Sequence, residues 1–474
     1  MEILPIKKKG YQSKARLPPV FIPDELISKI LSLLSVKTIV RLKCLSKSWN
    51  TLISDQTFVQ QHFNVSSQNP QLIVTPQTSV YPMSSILSLS VCRLLDNPLI
   101  TVCHSAMESC QVVGSCKGLL CLLFHDLCST PKPMHRTYWF CLLNPATRTL
   151  SGKLGTFHDY NQSLPDTFMF SFGFDISTGT FKVVAYCAKQ DKENRGSWRS
   201  HVRIFSLNDN CWRNIESFPL IPIACIRTDR SNAGVYLSGN VNWLALHKYV
   251  YHDYFYQYIT SVQQFVIVSL DLSTETYTHF LLPPGFDELP RYQPTLHVLM
   301  DCLCFSHDFK RTEFVIWQMK EFGVQESWTQ LFRIDYFNLQ MYDLPGKHDT
   351  SAYILGYNLP LLPLYISQNG DTLIFANYED EQAIVYNHKD KRVERVKISN
   401  KMCLFTAMNY VESLVSTPLR SATPTPSTSY VDGIMVGKSV VYDDSQIGKI
   451  AGDSSEEDKV EGPLLSEDLD GYED

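Results

Sequence analysis

The sequence predicts a mainly β fold preceded by a small α module, and three observations carry that reading. Residues 22–63 have the apolar spacing of short helices. Residues 70–412 instead repeat an apolar run, a turn rich in Asn, Asp, Ser, Thr or Gly, and a second apolar run. With 474 residues, of which 44% are hydrophobic and 19% charged, the chain has the composition to bury a large core, which excludes disorder along its whole length.

Residues 1–16 read as a flexible basic start. Met1–Gly10 has no apolar stretch after its lysines, unlike a secretory leader, and no apolar run approaches the ~18 residues that span a bilayer. Neither export nor contact with a membrane is expected. Pro23, Asp24 and Glu25 then suit a helix start, because proline is tolerated in the first turn and acids favour the positive end of the helix dipole. Leu26, Ile27, Ile30, Leu31, Leu33 and Leu34 follow. At 100° per residue they cover about 160° of arc, wider than the ~100° stripe that one core face needs. Ser35 is placed to cap a second helix carrying Ile39, Val40 and Leu42. Ser46 is placed to cap a third, with Trp49, Leu52 and Ile53 on one face, and Phe58 and Phe63 fall on a last short turn. Three short helices cannot hide this much apolar surface among themselves. The excess faces either the β region, as a helical cap, or another protein.

In the β region, Leu142–Leu150, Phe172–Val184, Val202–Ile215, Val266–Leu281 and Ile384–Ile398 each show the repeated unit. Tighter hairpins lie between them. Gly239-Asn240 and Asn369-Gly370 mark two of the turns, the second a strong two-residue hairpin signal. Hairpins starting near Val112, Val235, Leu296 and Leu364 recur at one or two steps of roughly 60–70 residues, each step long enough for one four-stranded sheet. Short antiparallel strands without intervening helices exclude a parallel α/β sheet. A radial, propeller-like domain fits the weak period. About five units are visible, so a ring of six requires one that the sequence hides. A large β-sandwich is the competing architecture.

The remaining segment, 416–474, reads as a disordered tail. In Ser416–Ser429, eight of fourteen residues are Ser or Thr and three are Pro, the composition of a flexible linker, and Thr417, Thr423 and Thr425 each precede a proline as in proline-directed phosphorylation sites. Asp453–Asp474 carries ten acids and one lysine; the whole chain is at −6, so the rest sums to +3. A weakly charged body with an acidic tail lacks the clustered basic footprint of a nucleic-acid binder. The fourteen cysteines include no C-x-x-C pair, and they read as reduced thiols in a cytoplasmic or nuclear protein.

Catalytic patterns are missing. Gly433–Ser439 has the Gly-Lys-Ser end of a phosphate loop, but Asp432 stands where its first glycine belongs. No H-E-x-x-H, G-x-S-x-G or G-x-G-x-x-G occurs. His125 and Cys128 are three residues apart on an expected loop, which defines no catalytic pair. Cys116, Cys121, Cys128 and His135 are the one set to weigh as a zinc site, and they lack the tight cysteine pairs such sites use. No cofactor or metal is expected.

Two stretches resemble known families. Ile22-Pro23-Asp24-Glu25-Leu26, Ile30-Leu31, Val36-Lys37-Thr38, Arg41, Cys44, Ser46-Lys47-Ser48-Trp49, Leu52-Ile53, Phe58 and His62 resemble the F-box over some 40 residues. Ile22, Ser35 and Leu45 depart from the usual Leu, Pro and Val; two of these keep apolar bulk, and Ser35 exchanges a rigid turn for a cap. Gly114–Cys121, Asn144–Arg148, Phe172–Asp175, Asn242–Leu244 and Gly323–Trp328 are similar, in order, to the plant F-box-associated domain of the S-locus F-box and F-box/kelch type. On this resemblance the F-box occupies 17–63 and a kelch-type, propeller-like domain 70–412.

The resemblance implies a substrate-recognition subunit of an SCF-type ubiquitin ligase. Its F-box would bind a Skp-family adaptor, and through it the cullin and RING subunits. Its β domain would hold a protein substrate for ubiquitination and proteasomal degradation. The chain itself would be no enzyme. The adaptor face expected from the motif is Pro23, Leu26, Ile30, Leu34, Leu42, Cys44, Leu45 and Trp49, with Trp49 also expected to hold the helices together. The substrate is unknown; in the aromatic run 249–258, Tyr251, Tyr254 and Tyr256 are of the type favoured at interfaces, as are Arg195 and Arg199. A protein with a silent F-box, recruiting a target without ubiquitination, fits the same residues, and a propeller enzyme would need converging carboxylates or metal ligands.

Overall fold

The computed structural model describes residues 23–68, 70–74, 83–91, 104–108, 110–128, 135–159, 168–190, 198–223, 234–247, 259–341, 361–377, 382–397 and 407–417. Its first elements are α1 (Asp24–Ser32), α2 (Val36–Leu42), α3 (Lys47–Ser54) and α4 (Gln56–Ser66). Ser35 and Ser46 cap α2 and α3 through their side-chain oxygens, which accept from the backbone N–H of Thr38 (3.4 Å) and Trp49 (3.1 Å). The expected last short turn is instead the eleven-residue helix α4. Asp55 both ends α3 and starts α4, its carboxylate accepting from the N–H of Thr57 (2.9 Å) and Phe58 (3.3 Å). One residue serving both helices leaves no linker for a sequence pattern to reveal.

Leu31, Val36, Ile39, Ile53 and Phe58 form the core of this module. His62 is buried, and its Nε2–H donates to the Leu34 carbonyl (2.9 Å), tying α4 to the end of α1. Leu414, from the opposite end of the described chain, completes the same core.

Among the described residues the strands form six antiparallel sheets. The first begins with β1 (Gln71–Val74), β2 (Met83–Ser90) and β3 (His104–Glu108). The second is β4 (Gln111–Cys116), β5 (Leu119–Cys128), β6 (His135–Asn144), β7 (Thr149–Leu150) and β8 (Leu154–Asp159). The third is β9 (Met169–Asp175), β10 (Thr180–Gln190), β11 (Trp198–Ser206) and β12 (Cys211–Asn214). The fourth is β13 (Ile221–Pro222), β14 (Val235–Leu237), β15 (Asn240–Leu246), β16 (Phe265–Asp271) and β17 (Tyr277–Phe280). The fifth is β18 (Thr295–Leu299), β19 (Cys302–Phe309), β20 (Glu313–Met319) and β21 (Trp328–Asp335). The sixth is β22 (Leu361–Ile366), β23 (Thr372–Asn377), β24 (Gln382–Asn387) and β25 (Arg392–Lys397).

A last strand, β26 (Met408–Tyr410), pairs with β1 in the register Gln71↔Tyr410, Leu72↔Asn409, Ile73↔Met408. The first sheet therefore has the order β26-β1-β2-β3, with its inner strand from one end of the chain and its outer three from the other. The inner strands β4, β9, β14, β18 and β22 lie each against the next, and β26 touches both β4 and β22, closing the circle. This is a six-bladed β propeller, and the ring excludes the sandwich. The blade hidden in the sequence is the split one.

Six apolar clusters hold the ring, one between each pair of neighbouring blades. On β5, Leu119, Cys121 and Leu123 face the third blade, while Leu120 and Leu122 face the first. Both faces of the strand are buried, so it reads as an unbroken apolar run instead of an alternation. The polypeptide also gives the ring two unlike faces. In the second to sixth blades the turn from inner to second strand, and from third to fourth, emerges on one face. The helices sit on that face: Ala146, in the β6–β7 turn, packs on their core, and the Gln368 side chain in the β22–β23 turn donates to the Gln68 carbonyl (3.4 Å). The second strand of each of these blades ends on the opposite face, where its third strand begins, as at Leu246 and Phe265 in the fourth blade.

Candidate protein-docking site

The wide apolar arc of α1 divides in two. Ile27, Leu31 and Leu34 occupy about 60° of it and pack into the module core. Leu26, Ile30 and Leu33 occupy the adjoining 60° or so and stay 51%, 57% and 74% exposed. Leu45, between α2 and α3, is 69% exposed, and Pro23 and Cys44 are exposed as well. Of the eight residues named from the motif, Leu34, Leu42 and Trp49 are half-buried against the module core. The remaining five are open. Leu33 is absent from the sequence-derived set, although its helical angle beside Leu26 and Ile30 was the signal for it.

Leucines and an isoleucine exposed at i, i+4 and i+7 leave a continuous apolar stripe on one side of the helix. They are not sealed beneath the β-sheets. The module's other side is, through Leu414 and Ala146.

The motif residues of the β region do structural work. Asn144 is fully buried, with its amide donating to the carbonyls of Ser413 (2.9 Å) and Val415 (2.8 Å) and its Oδ1 accepting from the N–H of Ala146 (3.0 Å) and Thr147 (3.2 Å). Asp175 lies at the centre of a buried ion network between the third and fourth blades. Lys182 Nζ is 2.9 Å from its carboxylate and 3.0 Å from that of Glu275, and also donates to the Leu272 carbonyl; Glu275 in turn pairs with Arg213. Burial alone would raise the Asp175 pKa, but hydrogen bonds from Lys182, Ser273, Thr178 and Ser177 hold it well below the usual carboxylate range. Glu275 shows the same contest and the same outcome, through Arg213 and Lys182. Each charge is matched, as in an interblade lock rather than a proton-transfer site.

Several thiols and imidazoles among the described residues of the β region are shifted by burial. Burial pushes the thiols of Cys116 and Cys304 up to about 12 and raises that of Cys121, so they are neither nucleophiles nor ready thiolate ligands. Burial lowers His297 to about 3 and His307 to about 4, and His307 Nε2 accepts from the Trp317 indole N–H (3.2 Å). The possible zinc set does not assemble: Cys128 pairs with His135 at one end of the β5–β6 hairpin, about 23 Å along the strand from Cys121. Among the described residues no group of three or more His, Cys, Asp or Glu is placed to hold a metal ion. Gly433–Ser439 lies outside the described residues, as do Tyr251, Tyr254, Tyr256 and Arg195; Arg199 is exposed at the start of β11.

Comparison with known proteins agrees with this division. The F-box domain family matches residues 21–61, and the F-box associated beta propeller domain family matches 71–417. Among curated relatives, the Arabidopsis thaliana F-box/kelch-repeat protein At3g23880 is 28% identical over 331 residues, covering 67% of this chain and 80% of its own. The putative F-box protein At1g33530 of the same plant is 25% identical, covering 70% of this chain and 66% of its own. Arabidopsis F-box protein CPR1 is 23% identical over 408 residues, covering 83% and 88%. The four helices fall within the first family match but for the end of α4, all six blades fall within the second, and the chain belongs to the plant F-box proteins that carry an F-box-associated β propeller.

Proposed function

We propose that this chain is the substrate receptor of an SCF-type ubiquitin ligase. The helices dock a Skp-family adaptor, which brings the cullin and RING subunits, and the propeller holds a protein substrate. The observation that carries the reading is the stripe of Leu26, Ile30 and Leu33 on α1, left open while Leu31, Val36, Ile39, Ile53 and Phe58 are buried in the module core with Leu414. Water must leave these side chains for them to contribute, and a second subunit is the means.

The ubiquitin chemistry takes place on the E2 enzyme and RING subunit. This chain contributes proximity, turning a bimolecular encounter into a local one. The substrate side is the face opposite the helices. The 247–264 connection that carries Tyr251, Tyr254 and Tyr256 leaves and rejoins the ring there.

The test is pull-down of a Skp-family adaptor and of cullin by the full chain and by Leu26→Ala/Ile30→Ala. Wild type should capture both, and the double variant neither. Adaptor without cullin would turn the reading to a recruiter that ubiquitinates nothing. Undiminished capture by the variant would remove the docking stripe from the account.

A further inference from the structure

The segment Val411–Val415 follows the ring-closing strand β26 and emerges on the face that bears the helices. It has no regular secondary structure, and its successive side chains go to different bodies. Glu412 accepts from the Gln71 side chain (2.7 Å), beside the seam. Ser413 is fully buried against the β4–β5 turn, where Gly118 has φ +77° and a Cβ on it would lie 2.2 Å from the Ser413 Cβ. Leu414 turns the other way, into the core of the helices beside Leu31, Val36, Ile39, Ile53 and Phe58. Val415 returns to the cluster between the second and third blades. Asn144 fixes the register of the whole segment by holding the carbonyls on both sides of Leu414.

A module of four short helices buries little by itself. One of its buried core residues is delivered by a strap that directly follows β26, the strand paired with β1. We propose that Leu414 and Asn144 are positioning residues for adaptor docking: the strap joins closure of the ring to order in the helices and fixes the Leu26–Ile30–Leu33 stripe relative to the propeller. This rests on the adaptor-docking reading above, but half of its test does not.

The experiment is hydrogen exchange on the full chain together with adaptor affinity, for wild type, Leu414→Ala, Leu414→Met and Asn144→Ala. In Leu414→Ala, amides of α1, α2 and α3 should exchange about tenfold faster or more, and adaptor affinity should fall by a similar factor, while β9–β12 and β18–β21 keep wild-type protection. Leu414→Met conserves volume and should restore both readouts. Asn144→Ala should give the same pattern in the helices. Wild-type exchange in the helices of Leu414→Ala, or equal loosening of helices and all six blades, would overturn the proposal. If wild type binds no adaptor, the ligase reading falls, and the exchange pattern alone then decides whether the strap orders the helices.

Discussion

Truncating Leu26 and Ile30 together should weaken adaptor binding by one to two orders of magnitude without unfolding the chain. The two side chains are 51% and 57% exposed, so about half of each remains for a partner to cover. Full burial of such a side chain contributes ~1.5–3 kcal/mol, so half contributes about 0.8–1.6 kcal/mol, and the pair about 1.6–3.2 kcal/mol. That corresponds to roughly a 15- to 200-fold rise in Kd, trimmed toward the lower end by the Cβ that alanine keeps. Calorimetric titration of a purified Skp-family adaptor into the full chain measures it. Because neither side chain belongs to the module core, the thermal midpoint should stay where it is in wild type. A rise in Kd below threefold, with the fold intact, would refute the argument that this stripe is covered in the complex.

The ion network predicts that Lys182→Met leaves Asp175 buried without its partner and lowers stability by ~3–5 kcal/mol in urea unfolding; a loss below about 1 kcal/mol would mean that water reaches the site. Asp175 and Glu275 have lowered pKa values in the fold, so their contribution is complete above the ordinary carboxylate pKa of about 4 and is lost as pH falls toward their folded values. Acid unfolding of Asp175→Asn should therefore be less steep than that of wild type. His297 is kept neutral by burial, so between its unfolded pKa of about 6.5 and its folded value of about 3 the unfolded chain binds the extra proton and stability rises with pH. His297→Gln should remove up to ~1.4 kcal/mol per pH unit of that slope, and an unchanged slope would show that the histidine is protonated in the fold. Gly118→Ala should lower the thermal midpoint, because the new Cβ meets Ser413 at a backbone angle that L-residues rarely adopt; an unchanged midpoint would mean the strap has room to shift.

The helical zone was the most legible part of the chain because caps and spacing are local. Ser35, Ser46 and the arc of α1 announced three helices, and α4 escaped because Asp55 caps it with no residue to spare. The blades were half legible. Their turns stand out, but strands such as β5 bury both faces and lose the period-two signal that would separate them from any other apolar run. The first blade was invisible in principle, since β26 meets β1 only after more than three hundred residues of intervening chain have come round. The docking residues were legible in type but not in partition. The arc of α1 was too wide for one face, and helical angle separates Leu26, Ile30 and Leu33 from Ile27, Leu31 and Leu34, yet nothing local says which of the two groups turns inward. The core that receives the inward group includes Leu414, which lies at the far end of the described chain.

The split blade and the strap bear on the proposed receptor in one physical way. A receptor that works by proximity gains only if its two binding faces are held at a steady separation, because effective concentration falls steeply once the joint between them can swing. A flexible linker after α4 would give such a swing. Instead α4 runs within a few residues into β1, whose Gln71 pairs with Tyr410, and the chain beyond Tyr410 returns to the helices through Leu414. The module is thus tied to the propeller by both ends of the ring, at the same seam. Two neighbouring ties with buried side chains between them resist rotation far better than one. On this proposal, the adaptor at the helices and the substrate at the opposite face lie on either side of one rigid ring, with its thickness as the fixed distance between them.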